Sequence, residues 1–147
     1  YSPAKIAVML NKTEGEVLDA IQSMEQRGII VKYTAIVNDE RLSDDFVQAL
    51  IEVKVSPQKS SGFDAIAEEV YRFDEVKSCY LMSGGYDLAV FIEGKNLREV
   101  ARFVSERLST LDEVQSTATH FILKKYKIEG TITGAEEDRE RRISVHA

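Results

Sequence analysis

From position 47 the chain alternates. Val47, Ala49, Ile51, Val53 and Val55 are apolar, and Gln48, Glu52, Lys54 and Ser56 fall between them. A period of two predicts a strand with one buried face, ended by Pro57, which has no N–H to give a ladder. The period then becomes helical. From about Ser60, Phe63, Ile66, Ala67 and Val70 form a stripe that leaves Glu68, Glu69 and Arg72 outside, with Ser60 or Ser61 as the cap. A second strand is predicted over about 76–83 and a third over 86–93, with Gly84 and Gly85 turning the chain between them. Asn96 caps a second helix whose stripe is Leu97, Val100, Ala101, Val104, Leu108 and Leu111, and a final strand covers about 113–126. Strand, helix, strand, strand, helix, strand is the order of a ferredoxin-like βαββαβ sandwich, with both helices on one face of the sheet. The other face would be bare. Leu50, Tyr80 and Phe121 are its candidate apolar side chains, and dimerisation through the sheet would cover them.

The first 38 residues follow a different pattern. Ser2 and Pro3 suit the cap and first turn of a short helix carrying Ile6, Ala7 and Leu10. Thr13 and Glu16 have the spacing of a capping box, opening a second helix that buries Val17, Ile21 and Met24 and stops at Gly28. Residues 29–31 and 33–37 read as extended, and 41–46 as a polar linker. Two short helices, a tight turn and then extended chain are the spacing of a winged helix-turn-helix, whose remaining helix is expected to precede Tyr1. The expected class is therefore α+β, a partial winged helix-turn-helix followed by the ferredoxin-like sandwich. Its divisions are the partial winged helix-turn-helix at 1–38, a linker at 39–46, the ferredoxin-like sandwich at 47–129 and a charged tail at 130–147.

Composition narrows the functional classes. The 147 residues, 44% hydrophobic and 30% charged, suffice for one core with a small appendage. No apolar run approaches the roughly 20 residues of a membrane span, and the start lacks the basic-then-apolar order of a signal peptide, so a cytoplasmic protein without membrane contact is expected. The lone Cys79 cannot pair within the chain, which fits a reducing compartment. His120 and His146 have no nucleophile or carboxylate at a meaningful spacing. Neither a metal motif nor a phosphate-binding glycine loop is present, so no enzyme activity, metal or cofactor is expected. A net charge of −6 excludes a surface that grips nucleic acid all over, leaving room for a local patch.

Two segments carry candidate chemistry. In the helix pair, Lys5, Lys12, Thr13, Gln22, Ser23 and Lys32 are the side chains suited to phosphates and base edges of duplex DNA, although the Thr13 hydroxyl is also claimed by its cap. The second helix is acidic: Glu14, Glu16, Asp19 and Glu25 oppose only Arg27, and carboxylates are repelled by phosphates. In "MSGGYDLAV" the bland reading of Gly84–Gly85 is a two-residue hairpin needing positive φ, with Asp87 bonding local backbone. The functional reading makes Met82, Ser83, Gly84, Gly85, Tyr86 and Asp87 an effector site. Bare glycine N–H groups would meet a ligand carboxylate, Asp87 would hold its ammonium group and Tyr86 would form a wall. Thr117 and Thr119 share a strand face and would add hydroxyls from a neighbouring subunit, or else are ordinary β-branched filler.

Taken in order, "IAVMLNKTEGEVLDAIQSMEQRGIIVKYTAIVN", "SGGYDLAVFIEG" and "STATHFILKKYK" resemble the Lrp/AsnC family of transcription regulators over roughly residues 2–127. The resemblance implies a helix-turn-helix that binds operator DNA and a hinge strand leading to the effector domain. It also implies homodimers that assemble into tetramers or octamers, and a small effector, often an amino acid, bound where dimers meet. The family's effector pocket includes the Gly-Gly-Tyr-Asp turn. The expected function is effector-dependent transcription regulation. The alternative is an effector-binding assembly module with a non-reading head that acts through a paralogue.

Overall fold

A computed structural model describes residues 1–39, 42, 46–56 and 62–133. The chain forms two compact units, 1–37 and 38–147.

In the first unit, α1 (Pro3–Leu10) and α2 (Glu14–Gln26) arise where their caps predict. The Ser2 hydroxyl accepts from the Lys5 N–H at 3.3 Å. Asn11 ends α1 in the left-handed conformation, φ 51°, which asparagine tolerates because its side chain can bond locally. The capping box is complete: the Thr13 N–H donates to Glu16 Oε2 at 2.9 Å and the Glu16 N–H to Thr13 Oγ1 at 3.2 Å. Glu16 is thereby held below the usual carboxylate range, first by the Thr13 backbone N–H and then by Lys12. Gly28, at φ +67°, closes α2, and the Ile29 N–H returns to the Met24 carbonyl at 2.8 Å. Ala7 and Val17 are the buried apolar residues of this unit, whereas Leu10, placed in the α1 stripe by sequence, is exposed. Residues 31–38 form no ladder with any described residue. The extended segment expected at 33–37 therefore has no partner strand within the described chain.

The second unit contains β1 (Val47–Val55), α3 (Gly62–Tyr71), β2 (Val76–Leu81), β3 (Leu88–Gly94), α4 (Leu97–Glu106), a 3₁₀ turn (Leu108–Thr110) and β4 (Val114–Phe121). A short hairpin follows, β5 (Lys127–Ile128) with β6 (Thr131–Ile132). The four-stranded sheet has the order β2-β3-β1-β4 with every neighbouring pair antiparallel, the ferredoxin-like arrangement. The alternation in β1 puts Ala49, Ile51, Val53 and Val55 into the core. There they meet Leu88, Val90 and Ile92 of β3, Ile66 and Val70 of α3, and Val100 and Phe103 of α4. The Asn96 side chain caps α4 by accepting from the Glu99 N–H at 2.9 Å. The Ser60 and Ser61 cap lies outside the described residues.

Several expectations change. Phe121 lies opposite Ala49, and directly opposed residues share a face, so it belongs to the helix face rather than the bare one. Phe91 and Ala89, opposite Leu50 and Glu52, join Leu50 and Tyr80 on the bare face instead. In α4 it is Phe103 that is buried, stacked edge-to-face on Phe73 with centroids 5.5 Å apart, while Leu97 and Ala101 are exposed. β4 ends at Phe121, opposite Ala49, with one further bond from the Ile122 N–H to the Gln48 carbonyl at 2.9 Å; β1 begins at Val47, which leaves residues 124–126 beyond its start. Thr131 and Ile132, assigned by sequence to the tail, pair with β5 across Glu129 and Gly130, both at positive φ (43° and 82°).

Replacing Ile51 by Ala should cost about 2–5 kcal/mol, because the methyl groups leave a cavity in a strand hydrogen-bonded on both sides. Leu97→Ala, on the exposed side of α4, should stay within about 0.5 kcal/mol of wild type. Urea unfolding monitored by circular dichroism measures both, and equal losses would contradict this assignment of the α4 face.

Candidate functional site

Three features offer chemistry: the turn between β2 and β3, a cleft at the far end of the sheet, and the helix pair. At the turn, the Met82 N–H donates to the Asp87 carbonyl at 2.8 Å, closing a four-residue loop, 83–86. The two-residue hairpin expected from the glycines is therefore not formed. Gly84 alone of the pair needs glycine, at φ +147°, while a Cβ at either position would meet open space. Residues 82–85 are exposed, and Tyr86 and Asp87 are half-buried.

Asp87 is anchored to the neighbouring strand. Its N–H donates to the Val53 carbonyl at 3.0 Å, and its Oδ2 accepts from the Val55 N–H at 2.9 Å. That N–H lies where the β1–β4 register shifts, between Lys54 and Val55, and a bulge leaves backbone groups that need another partner. One carboxylate oxygen of Asp87 thus has a structural task. Thr117 opposes Val53 from the other side of β1, so the turn and Thr117 share one end of the sheet, two strand spacings or roughly 10 Å apart. Thr119, opposite Ile51, lies further along β4 on the same face, and the Thr117 hydroxyl is 3.5 Å from that of Ser109.

The opposite end of the sheet holds a cleft of about 320 Å³. Its polar wall joins parts of the chain distant in sequence: Lys125 forms an ion pair with Asp39, and the Asn38 amide donates to the Thr133 carbonyl at 3.2 Å. Phe46, Ile122 and Ile128 supply apolar lining. Sequence reasoning missed this site because it treats residues 41–46 as a polar linker and about 113–126 as one continuous strand. Asp39 and Lys125 have no periodic relation that would link them.

In the helix pair the DNA-contact candidates divide. The Thr13 hydroxyl is held by Glu16 at both ends of the capping box. Lys12 is paired with Glu16 at 3.2 Å. The Lys5 ammonium lies 4.9 Å from the centre of the Tyr1 ring, and Gln22, Ser23 and Lys32 are exposed. Tyr33 donates to Glu25 at 2.8 Å, which pushes the phenol up in pKa. Between α1 and α2 an apolar groove of about 600 Å³ runs along Ile6, Leu10, Val17, Ala20, Ile21 and Met24.

Other reactive groups are quiet. Burial pushes the Cys79 thiol up, away from the thiolate a nucleophile requires. Among the described residues no cluster of three His, Cys, Asp or Glu side chains can hold a metal, and no helix is long and apolar enough to cross a membrane.

Residues 48–132 match the family description of the Lrp/AsnC ligand-binding domain. The Bacillus subtilis protein YugG, named an uncharacterised helix-turn-helix type transcriptional regulator, is 47% identical over 92% of this chain and 82% of its own. A helix-turn-helix type regulator of Pyrococcus furiosus is 28% identical over 84% of this chain and 78% of its own. Among solved structures, Escherichia coli AsnC superposes with a TM-score of 0.67 at 20% identity, over 86% of this chain and 83% of that one. A Neisseria meningitidis transcriptional regulator in complex with L-methionine superposes with a TM-score of 0.70 at 22% identity, over 90% and 84%. These relatives are named as transcriptional regulators, and the family is not one of enzymes. With a helix pair and a ferredoxin-like unit in this order, and a relative matching across both, the chain belongs to the Lrp/AsnC family.

Proposed function

We propose that this chain is a cytoplasmic transcription regulator that contacts operator DNA through its helix pair. In this reading it responds to a small effector, an amino acid, bound by the 82–87 turn at an oligomer interface. The observation that carries the proposal is the match to YugG, which runs through both units in one chain. The L-methionine in the Neisseria structure supports the amino-acid class. The turn supports the site: exposed backbone N–H groups suit a carboxylate, and Asp87 retains one oxygen beyond its bond to Val55 for an ammonium group. Thr117 and Thr119 are proposed to face the same effector across the interface.

Two features support homodimers that build tetramers or octamers. Leu50, Ala89, Phe91 and Tyr80 make an apolar strip on the sheet face without helices, with Tyr80 and Phe91 in edge contact at 6.1 Å. Residues 31–37, expected as extended, join no ladder with any described residue, and a strand from a second copy would pair their N–H and C=O groups. An effector that binds one assembly geometry better than another shifts the population toward it and so changes DNA affinity.

A second reading is favoured by a specific observation. Residues 1–37 hold four cations, Lys5, Lys12, Arg27 and Lys32, against four carboxylates, Glu14, Glu16, Asp19 and Glu25. One of the lysines is already tied to Glu16. A head so balanced has little general attraction for phosphates, which suits an assembly module that acts through a paralogue.

Fluorescence titration with DNA from upstream of the protein's own gene, at several salt concentrations, separates the two. Direct reading gives saturable, sequence-specific binding, and Lys32→Ala reduces the salt slope by about 1. Absence of specific binding leaves only the assembly role.

For the turn, Asp87→Asn is the informative change, because the amide oxygen can still accept from Val55 while the negative charge is gone. A thermal-shift screen of amino acids should find one that stabilises wild type by about 2.7 kcal/mol at a hundredfold excess over its Kd. That response should fall at least tenfold in Asp87→Asn with the ligand-free midpoint retained. An unchanged response would remove Asp87 from the site.

A further inference from the structure

We propose that His120 and Glu52 form a proton-operated switch on the sheet face that carries no helices: two copies pair through this face when His120 is protonated and separate when it loses the proton. The switch rests on the sheet-to-sheet dimer proposed above. Directly opposed residues share a face, and His120 of β4 lies opposite Leu50, beside the apolar strip of Leu50, Ala89, Phe91 and Tyr80. Glu52 is the next residue of β1 on that side, and its Oε1 is 3.5 Å from His120 Nε2. Imidazole is the side chain whose charge ordinarily changes between about pH 5 and 8, and His120 is the only histidine among the described residues.

The charges around the pair give the switch its direction. β4 is an edge strand, so on this face β1 alone lies beside it. From β1 come Glu52 and then Lys54, while β4 itself adds Ser116 and Ala118, neither of them titratable. The 3₁₀ turn packs on the opposite face, where Ser109 meets Thr117. Further across, Glu93 of β3 accepts from the Gln48 amide at 3.0 Å. These three strands therefore present two carboxylates and one ammonium group while His120 is neutral, and protonating His120 balances them. A face that meets its own copy brings like charges together, so balance favours pairing and an excess of carboxylate opposes it.

Covering the face also changes what the pair is worth. In the single chain the His120 and Glu52 side chains are 56% and 35% exposed, and water screens them. Under a second copy that water is removed. A carboxylate next to an imidazolium is then compensated, whereas one next to a neutral ring is a buried charge without a partner. The dimer consequently binds protons more tightly than the separated chains. Pairing is strongest below the range in which imidazole titrates and is lost as pH rises through it, and each proton released changes the dissociation constant by up to about tenfold per pH unit.

The test follows dissociation of the full chain on dilution, by energy transfer between differently labelled copies, at about pH 6 and about pH 8 and constant ionic strength. The dimer dissociation constant of wild type should rise at least about tenfold between the two. His120→Gln, which keeps a polar side chain without a proton to lose, should reduce that ratio below about threefold. Glu52→Gln should do the same, and its dimer at the higher pH should be tighter than that of wild type. His120→Lys should stay paired at both values. Phe91→Arg is the control for the face and should leave monomers, with circular dichroism checking the fold and Leu50→Arg replacing it if it unfolds. Wild type that is monomeric at both pH values, or a dimer that survives the control substitution, removes the sheet-to-sheet dimer and the switch with it. Dimers that the control breaks, but whose affinity is the same at both pH values or whose pH dependence persists in His120→Gln, overturn the switch alone.

Discussion

Every part of the second unit depends on β1. It is the strand hydrogen-bonded on both sides, to β3 and β4, and its alternate residues Ala49, Ile51, Val53 and Val55 form the floor of the core. Because side chains in a strand repeat every two residues, its register settles the faces of its neighbours: Val90 and Thr119 both lie opposite Ile51, Leu88 and Thr117 opposite Val53. A slip of one residue would expose the whole apolar set to water. Four side chains that are almost completely removed from solvent make that slip prohibitive, at about 1.5–3 kcal/mol for each large aliphatic residue.

The same strand organises both concave ends of the sheet. At one end, its bulge frees the Val55 N–H, and Asp87 fills the vacancy while positioning the Gly84 loop. At the other end β1 starts, β4 loses its partner, and the chain folds into the β5–β6 hairpin that walls the cleft. The local backbone bond expected of the Asp87 carboxylate is therefore replaced by one across to β1. The bond is to the next strand, not to the turn's own backbone.

The helix pair is built on different terms. Its boundaries come from caps, a left-handed Asn11 and Gly28, each worth about 1 kcal/mol or less to a helix, while burial is confined to Ala7 and Val17. Residues 1–37 carry four cations and four carboxylates, so in the proposed role DNA contact would rest on a few exposed side chains rather than on a field.

What the sequence determined by itself is what local chemistry controls. The β1 alternation, the α3 stripe, the capping box at Thr13 and Glu16, and the Asn96 cap are each dictated within a few residues, and they sufficed for the βαββαβ order and the family resemblance. Only the tertiary structure decided which residues far apart in the chain came together. It moved Phe121 to the helix face because register, not composition, assigns faces, and it chose Phe103 over Leu97 because helix phase is fixed by what packs against it. It turned an acceptor in a glycine turn toward Val55 and brought Asp39 to Lys125 across 86 residues. Such pairings carry no periodic signal, since they follow from strand order and the length at which a ladder runs out.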